Sequence, residues 1–508
     1  MFKKVNSAAY SGLKSIGIDV EINTSKKGLP NFNIVGLTSK AVDESEERVK
    51  NAIMNSNVDF PQKRITVNLA PADVPKEGSF YDLPIAIGIL ASSLQFEIPE
   101  KSLFFGELSL DGSLRHTKGA LPLALFAQSE GYENVFLPEA SANEAAVIKG
   151  INVYPIEDLN QIISFLIDKI KLEPANYESK GQKEQDPEFD MSEILGQEQT
   201  KRAAEIAAAG GHNLFMIGSP GSGKTMISRS IPGILPDLGN QESLEVTKIY
   251  SISGNTSPGS GLIKKRPFRS PHHSISKVGL IGGGSRPKPG EVTLAHRGVL
   301  FLDEFNEFPR SALEAMRQPL EDGELTISRS KERVKYPSEF MLVASSNPCP
   351  CGYLNHPEKE CDCTPRQVKR YQKKISGPIL DRIDLHIEVP SVDVDKLKNQ
   401  RRADDNEKSK EIRKRVIRAR KRQAERFEKE SIRTNAEMKN SHVKKYCELP
   451  EETEEILSQA ASKFNISARG YFKMIKVAQT IADLDLSEEI KPDHVAEALQ
   501  YRAKMNQN

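Results

Sequence analysis

The octapeptide Gly218-Ser219-Pro220-Gly221-Ser222-Gly223-Lys224-Thr225 constrains this chain more than any other feature. It follows the apolar run Leu214–Ile217 and precedes a helical pattern that starts near Lys224, so a strand must hand a glycine-rich turn to the N-terminus of a helix. The glycines let backbone N–H groups close on phosphate, and the helix end adds partial positive charge. Lys224 supplies a full charge for the β and γ phosphates, and the Thr225 hydroxyl is a ligand for Mg²⁺. Further apolar runs at Val299–Leu302, Phe340–Ala344 and Leu385–Val389 predict a parallel sheet covered by helices on both faces.

Val299–Leu302 ends in Asp303-Glu304, two carboxylates at the sheet edge where open α/β sheets bind ligands. Asp303 is placed to hold the Mg²⁺ shell and Glu304 to polarise an attacking water, so the expected substrate is ATP and the expected cofactor Mg²⁺. Hydrolysis also requires a polar group that positions water and cations that stabilise the transition state. Asn347, just past the strand at 340–344, is the candidate for the first task. Arg382, as an arginine finger, and Arg469, as a second phosphate sensor, are candidates for the second.

With 508 residues the chain has room for about three domains. Residues 1–170 alternate strand and helix signals, among them strands at Gly17–Ile22, Phe32–Val35 and Arg64–Leu69 and helices at Lys40–Ser56 and Leu83–Leu94. A hairpin is expected from Leu103 to Leu114, turning at Asp111-Gly112. Residues 171–190 are polar and read as a linker, 191–392 as the phosphate-loop domain and 393–508 as a helical lid, which makes the chain a multidomain α/β protein. The net charge of +1 points to no polyanionic partner by itself, so any basic surface is local. No apolar run approaches the roughly 20 residues that span a bilayer, and the first residues carry no secretory h-region. The chain is expected in the cytoplasm.

Four of the five cysteines, Cys349, Cys351, Cys361 and Cys363, fall within one short segment, and in a reducing compartment they suit a structural Zn²⁺ with no open coordination position. Glu324–Tyr336 alternates and turns as a β-hairpin carrying Arg329, Lys331, Arg333 and Lys335. The stretch Lys410–Arg426 is strongly basic, with Ile412, Val416 and Ala419 at helical spacing for packing. Its cations are read either as a solvated lid face or as a nucleic-acid contact. Gly254–Gly290 is rich in Gly, Pro, Arg and His. His272 and His273, if on a strand, would point in opposite directions, which disfavours a shared metal.

From Asp190 onward the chain resembles an AAA+ ATPase of the magnesium-chelatase-like branch, and over nearly its whole length it resembles the YifB/ComM family. The resemblance is carried by Gly218–Thr225, by Arg266-Pro267-Phe268-Arg269-Ser270-Pro271-His272-His273, and by Gly282-Gly283-Gly284 through Pro289-Gly290-Glu291 to Ala295-His296. Asp303-Glu304 and Asn347-Pro348-Cys349-Pro350-Cys351-Gly352 complete it. It implies a homo-hexameric ring in which Arg382 acts on the neighbour's nucleotide, and it leaves open whether Arg469 acts within or across subunits. The hairpin resembles the pre-sensor hairpin of related ring motors, which implies that Arg329, Lys331, Arg333 and Lys335 face a central channel and bind DNA.

Residues 1–170 resemble the Lon protease domain, of ribosomal S5-like fold, at Pro75–Phe80 and Gly106–Gly112. On that alignment Phe80 stands at the nucleophile position and Ala120 near the dyad lysine, with Ser79 and Lys118 as the displaced alternative. This implies a non-proteolytic module, suited to docking a protein partner. The family resemblance implies a helicase that drives branch migration of single-stranded or branched DNA during integration of transforming DNA. The alternatives are a chelatase-type metal-insertion motor, which on this reading would lack the N-terminal domain, a protein-remodelling ATPase and an ATP-dependent protease.

Overall fold

Phe2–Ser11 (β1) and Lys14–Ser25 (β2) alternate inward and outward side chains and pair antiparallel around a turn in which Gly12 has φ +61°. They are the centre of the first of two compact units, which consists of residues 1–182 and 240–263. The computed structural model describes residues 1–36, 42, 44–76, 78–178, 188–284, 287–328, 333–391 and 406–502. Asn31–Val35 (β3), Arg64–Ala70 (β4), Ser102–Phe104 (β5), Asn134–Pro138 (β8) and Asn152–Ile156 (β9) complete a mixed seven-stranded sheet in the order β3-β4-β2-β1-β5-β8-β9. The hairpin expected from Leu103 divides. β5 runs parallel to β1 and β8, and the turn at Asp111-Gly112 joins two short strands, Glu107–Leu108 (β6) and Leu114–Arg115 (β7). The helix expected from Lys40 is seen as Ser45–Asn55, and residues 37–41 and 43 lie outside the described residues.

One buried ion pair fastens this unit. Asp82, fully buried at the start of the helix Asp82–Leu94, accepts from Arg48 Nε at 2.8 Å and from Arg48 Nη2 at 3.2 Å. The Leu108 N–H adds a third bond at 3.3 Å. Burial pushes the Asp82 carboxyl up to about 6, against the opposing pull of Arg48 and Ser45.

Residues 240–263 leave the phosphate-loop sequence and join the first unit, where Leu244 and Leu262 pack on its core. The carboxylate of Glu144 accepts from the Leu121 N–H at 2.8 Å and from the Ser251 hydroxyl of the helix Asn240–Ser253. The Gly259 N–H donates to the Ala140 carbonyl at 2.7 Å. Residues 171–178, read above as the start of a linker, also lie on this unit, with the Ala175 N–H on the Val153 carbonyl at 2.7 Å. Residues 179–187 lie outside the described residues.

The second unit, residues 183–239 and 264–508, is built on a five-stranded parallel sheet. Its strands are Leu214–Gly218 (β10), Phe268–Arg269 (β11), Val299–Leu302 (β14), Met341–Ser346 (β17) and Leu385–Val389 (β18), in the order β11-β14-β17-β10-β18. β14 and β17 are buried at every position, as befits apolar strands covered on both faces. Gly282–Gly283 (β12) with Lys288–Pro289 (β13), and Glu324–Ser328 (β15) with Arg333–Pro337 (β16), form two hairpins outside this sheet.

The C-terminal region is helical, with helices at Ser409–Arg426, Glu451–Lys463, Ala468–Leu484 and Pro492–Gln500. Ile412, Val416 and Ala419 are buried, as their spacing predicts. Several of the helix's cations are used internally. Arg415 Nε bonds Glu205 at 2.5 Å, Arg420 Nη2 the Ala208 carbonyl at 2.8 Å, Arg422 Nη2 the Ser487 carbonyl at 2.7 Å and Arg426 Nη1 Asp483 at 2.9 Å. These four arginines fasten the helix to its neighbours, while Lys410, Arg418 and Lys421 lie on its exposed face. Among the described residues no helix is long and apolar enough to cross a membrane.

Arg48→Met should destabilise the chain by about 3 kcal/mol, because it strands a buried carboxylate, whereas adding Asp82→Leu to it should recover much of the loss. Urea unfolding followed by circular dichroism decides; a double variant no more stable than the single one would contradict this account.

Candidate nucleotide-binding site

β10 ends at Gly218, and the helix Lys224–Ile234 begins six residues later with Gly223 as its N-cap. Gly221 and Gly223 have φ of +77° and +88°, and a Cβ built on either meets nothing within 4 Å. The loop is therefore an open cradle of backbone made by residues that tolerate left-handed φ. Lys224 is only 8% exposed. Its Nζ donates to the carbonyls of Gly218 at 2.7 Å and Ser219 at 2.8 Å, and lies 3.5 Å from Asn347 Oδ1. Burial pushes this ammonium down to about 8, with Asp303 pulling the other way.

Sheet register brings the remaining groups together. β17 lies between β10 and β14, so the residues that follow each strand meet at one edge. The Thr225 hydroxyl donates to Asp303 Oδ2 at 2.9 Å, and the Ser345 hydroxyl donates to Asp303 Oδ1. A hydroxyl beside a carboxylate is the hard-oxygen donor set that Mg²⁺ takes, and the open cradle above a buried lysine fits a polyphosphate. Glu304 has a left-handed backbone conformation, φ +51°, and its Oε2 lies 2.9 Å from His273 Nδ1. Residues 272 and 273 follow β11 in a turn after Pro271 rather than continuing the strand. Their rings therefore lie 4.1 Å apart instead of pointing in opposite directions.

Arg382 is tied down within its own chain, with Nη1 on the Pro378 carbonyl at 2.6 Å and Nη2 on Glu321. Arg469 reaches the same carboxylate more loosely, at 3.9 Å. Arg382 holds the Glu321 carboxyl below its ordinary range, although this group is largely exposed. Glu321, His273 and Ser345 carry no motif spacing of their own as partners in the site, and only the fold brings them to it.

The four cysteine sulfurs cluster, all within 4.8 Å of one another. Of the hairpin cations, Arg333 and Lys335 lie on the exposed face of β16, opposite buried Val334 and Tyr336, and Lys335 pairs with Glu324 at 2.8 Å. Arg329 and Lys331 lie outside the described residues. A groove of about 890 Å³ beside the helix Pro365–Gln372 is lined by Arg310, Arg366, Arg370, Lys373 and Lys374, with Glu307 among them. Sequence reasoning passed over this cationic surface, whose residues come from separate segments.

A parallel sheet with this loop, the Asp303-Glu304 pair and a helical lid defines an AAA+ ATPase of the magnesium-chelatase-like class. Residues 190–397 match the family model described as magnesium chelatase, subunit ChlI, residues 20–141 that of subunit ChlI of Mg-chelatase, and residues 406–502 that of the ChlI C-terminal region. The chain is 42% identical over 510 residues to the competence protein ComM of Haemophilus influenzae, covering 98% of this chain and 97% of that one. It is 42% identical over 507 residues to YifB of Escherichia coli, covering 98% and 96%. The magnesium-chelatase 38 kDa subunit of Rhodobacter capsulatus is 25% identical over 224 residues, 40% of this chain and 57% of that subunit. The chain belongs to the YifB/ComM family.

Because Lys224 must be charged to meet phosphate and its free form titrates near 8, affinity for Mg-ATP should be flat below that pH. Above it, affinity should weaken by up to about tenfold per pH unit. Calorimetric titration across pH tests this, and Lys224→Arg, which cannot lose its proton, should keep whatever affinity it has at high pH.

Proposed function

We propose that this chain is a Mg²⁺-dependent ATPase motor that assembles as a homo-hexameric ring in the cytoplasm, translocates on DNA and drives branch migration. The observation that carries the reading is the meeting of Lys224, Thr225, Asp303 and Asn347 around one open phosphate-binding loop. Gly218–Thr225 would cradle the phosphates through backbone N–H groups, and Thr225 and Asp303 would hold Mg²⁺, which supplies positive charge against the developing negative charge. Glu304, released from His273, accepts the proton of the attacking water, and Asn347 orients that water. Arg382 acts across the ring on the neighbour's nucleotide, which requires it to leave Glu321. Arg469 is a second cation for the phosphates.

The DNA part of the proposal draws on the full-length likeness to a competence protein and on two cationic surfaces. One is the exposed face of the hairpin at Arg333 and Lys335, to which Arg329 and Lys331 are assigned from the sequence alone, and the other is the groove lined by Arg310, Arg366 and Arg370. A structural Zn²⁺ in the four-cysteine turn completes the cofactor set. The first unit serves as a non-proteolytic docking module. Phe80 lies among Tyr10, Tyr81 and Phe105, and the Ser79 hydroxyl donates to the Glu107 carboxylate rather than to an amine that could activate it.

A second reading, a chelatase-like metal-insertion or protein-remodelling motor, has a specific observation in its favour: the models matching all three segments carry the chelatase subunit's name. With residues 20–141 matching a chelatase-subunit model, an N-terminal domain by itself does not separate this chain from chelatase subunits. Coverage favours the DNA motor, since ComM and YifB align over 98% of the chain and the chelatase subunit over 40%.

Steady-state ATP hydrolysis with and without single-stranded and branched DNA tests the proposal. Glu304→Gln should lower turnover by at least about 100-fold while ATP still binds. Neutralising Arg329, Lys331 and Arg333 should abolish DNA stimulation, flatten the salt dependence of DNA binding and leave basal hydrolysis intact. Hydrolysis indifferent to every DNA, with no salt-sensitive binding, would transfer the assignment to the second reading.

A further inference from the structure

The four-cysteine turn lies against the nucleotide site. Cys349 Sγ is 3.4 Å from Cys351 Sγ and 3.7 Å from Cys361 Sγ, and Cys351 and Cys361 are 3.5 Å apart. A disulfide would need about 2.05 Å. A tetrahedron with Zn–S bonds of about 2.3 Å has edges of about 3.8 Å, and a cluster whose four sulfurs all lie within 4.8 Å of one another has that size. The backbone serves the sulfurs as well: the Cys351 N–H points at Cys363 Sγ at 3.4 Å, the kind of bond that orients a ligating thiolate. Four ligands from one segment close the coordination sphere and leave no place for a substrate.

The contacts of the turn give it a role. Gly352, whose N–H bonds the Cys349 carbonyl at 3.0 Å, has φ +84°. A Cβ built there would stand 2.6 Å from Pro220 Cδ of the phosphate loop and 3.8 Å from Asn347 Cγ. On the other side, Gln372 Nε2 donates to the Pro348 carbonyl at 3.1 Å, and Asn306, just beyond Asp303-Glu304, donates to the Tyr371 carbonyl at 2.8 Å. The segment that carries the cysteines is thus braced against the phosphate loop, the end of β17 and the residues after β14.

We infer that Cys349, Cys351, Cys361 and Cys363 bind one structural Zn²⁺, and that the metal acts as a positioning element holding Asn347 and Pro220 in place, so that ATP binding and hydrolysis depend on it. This rests on the reading of Gly218–Thr225 as an ATP site. Without the metal, four sulfurs this close lose the charge that holds them together. The turn then opens, and Asn347 loses its register with Lys224.

The full-length chain, purified without chelator, should contain one zinc per chain by elemental analysis. Cobalt in its place should give the thiolate-to-metal charge-transfer band of a tetrahedral sulfur site. Removing the metal, or Cys361→Ser with Cys363→Ser, should weaken Mg-ATP binding or turnover about tenfold or more, with recovery of the stripped wild type on adding zinc. Gly352→Ala guards against simple misfolding: it keeps all four thiolates and the zinc, yet should lose nucleotide affinity through its contact with Pro220. A chain that binds ATP but holds no zinc overturns the metal assignment. One zinc per chain with ATP binding and turnover unmoved by its removal and by Gly352→Ala overturns the positioning role. A zinc-loaded wild type that binds no ATP sinks the ATP-site reading, and the coupling with it.

Discussion

A buried ammonium sets the terms for the second unit. Taking Lys224 out of water costs several kcal/mol unless its protons are bonded, and the two nearest acceptors are carbonyls of the loop that leads to it. The lysine thus closes the loop onto itself, and in doing so fixes where backbone N–H groups point. That arrangement holds only if the strand before the loop and the helix after it are rigid. This is why the loop sits between β10, paired on both sides, and the helix Lys224–Ile234, whose inward positions are fully buried. The order β14-β17-β10 then sets Asp303, Asn347 and Lys224 side by side with no further instruction.

The cations of this unit divide by partner. Arg415, Arg420 and Arg426 of Ser409–Arg426 bond carboxylates and a helix-end carbonyl, contacts that fasten this helix to its neighbours in the second unit. Arg382 and Arg469 instead share the one carboxylate of Glu321, and the second of these contacts, at 3.9 Å, is long. The Arg469 pair is exposed on both sides and contributes about 1 kcal/mol or less, whereas the Arg382 side chain is largely buried and its contact with Glu321 is the firmer of the two. Glu321 lies in the last turn of the helix Arg317–Asp322, three residues before the hairpin strand that begins at Glu324. The His273–Glu304 contact is likewise a partly exposed pair, of the kind that contributes little.

The features legible in the sequence were those governed by local pattern. Fully buried parallel strands are continuous apolar runs, and β14, β17 and β18 lay within a residue or two of where those runs stood. The helices of the lid announced themselves by period, Ile412, Val416 and Ala419 falling on the buried face. Tertiary choices left no such trace. β11 is two residues long, too short for any period to show, yet it is the edge strand that leads to His273. Whether Arg420 meets a phosphate or the Ala208 carbonyl depends on a helix end more than two hundred residues earlier. The groove lined by Arg310 and Arg366 draws on segments that only folding brings together.

The excursion at residues 240–263 shows most clearly what a linear reading misses. Its polar, Gly-punctuated end looks like a loop of the ATPase, but Glu144 is buried and must be bonded, and the Ser251 hydroxyl supplies one of its bonds. Losing that partner would leave a carboxylate in the core of the first unit, so the helix Asn240–Ser253 belongs there by necessity. The chain therefore passes between the two units at residues 182–183, 239–240 and 263–264. Only Leu235–Gly239 separates the phosphate-loop helix from the second of these crossings. The helix that carries Lys224 and a helix of the first unit are thus neighbours in sequence, which no domain boundary drawn once along the chain would show.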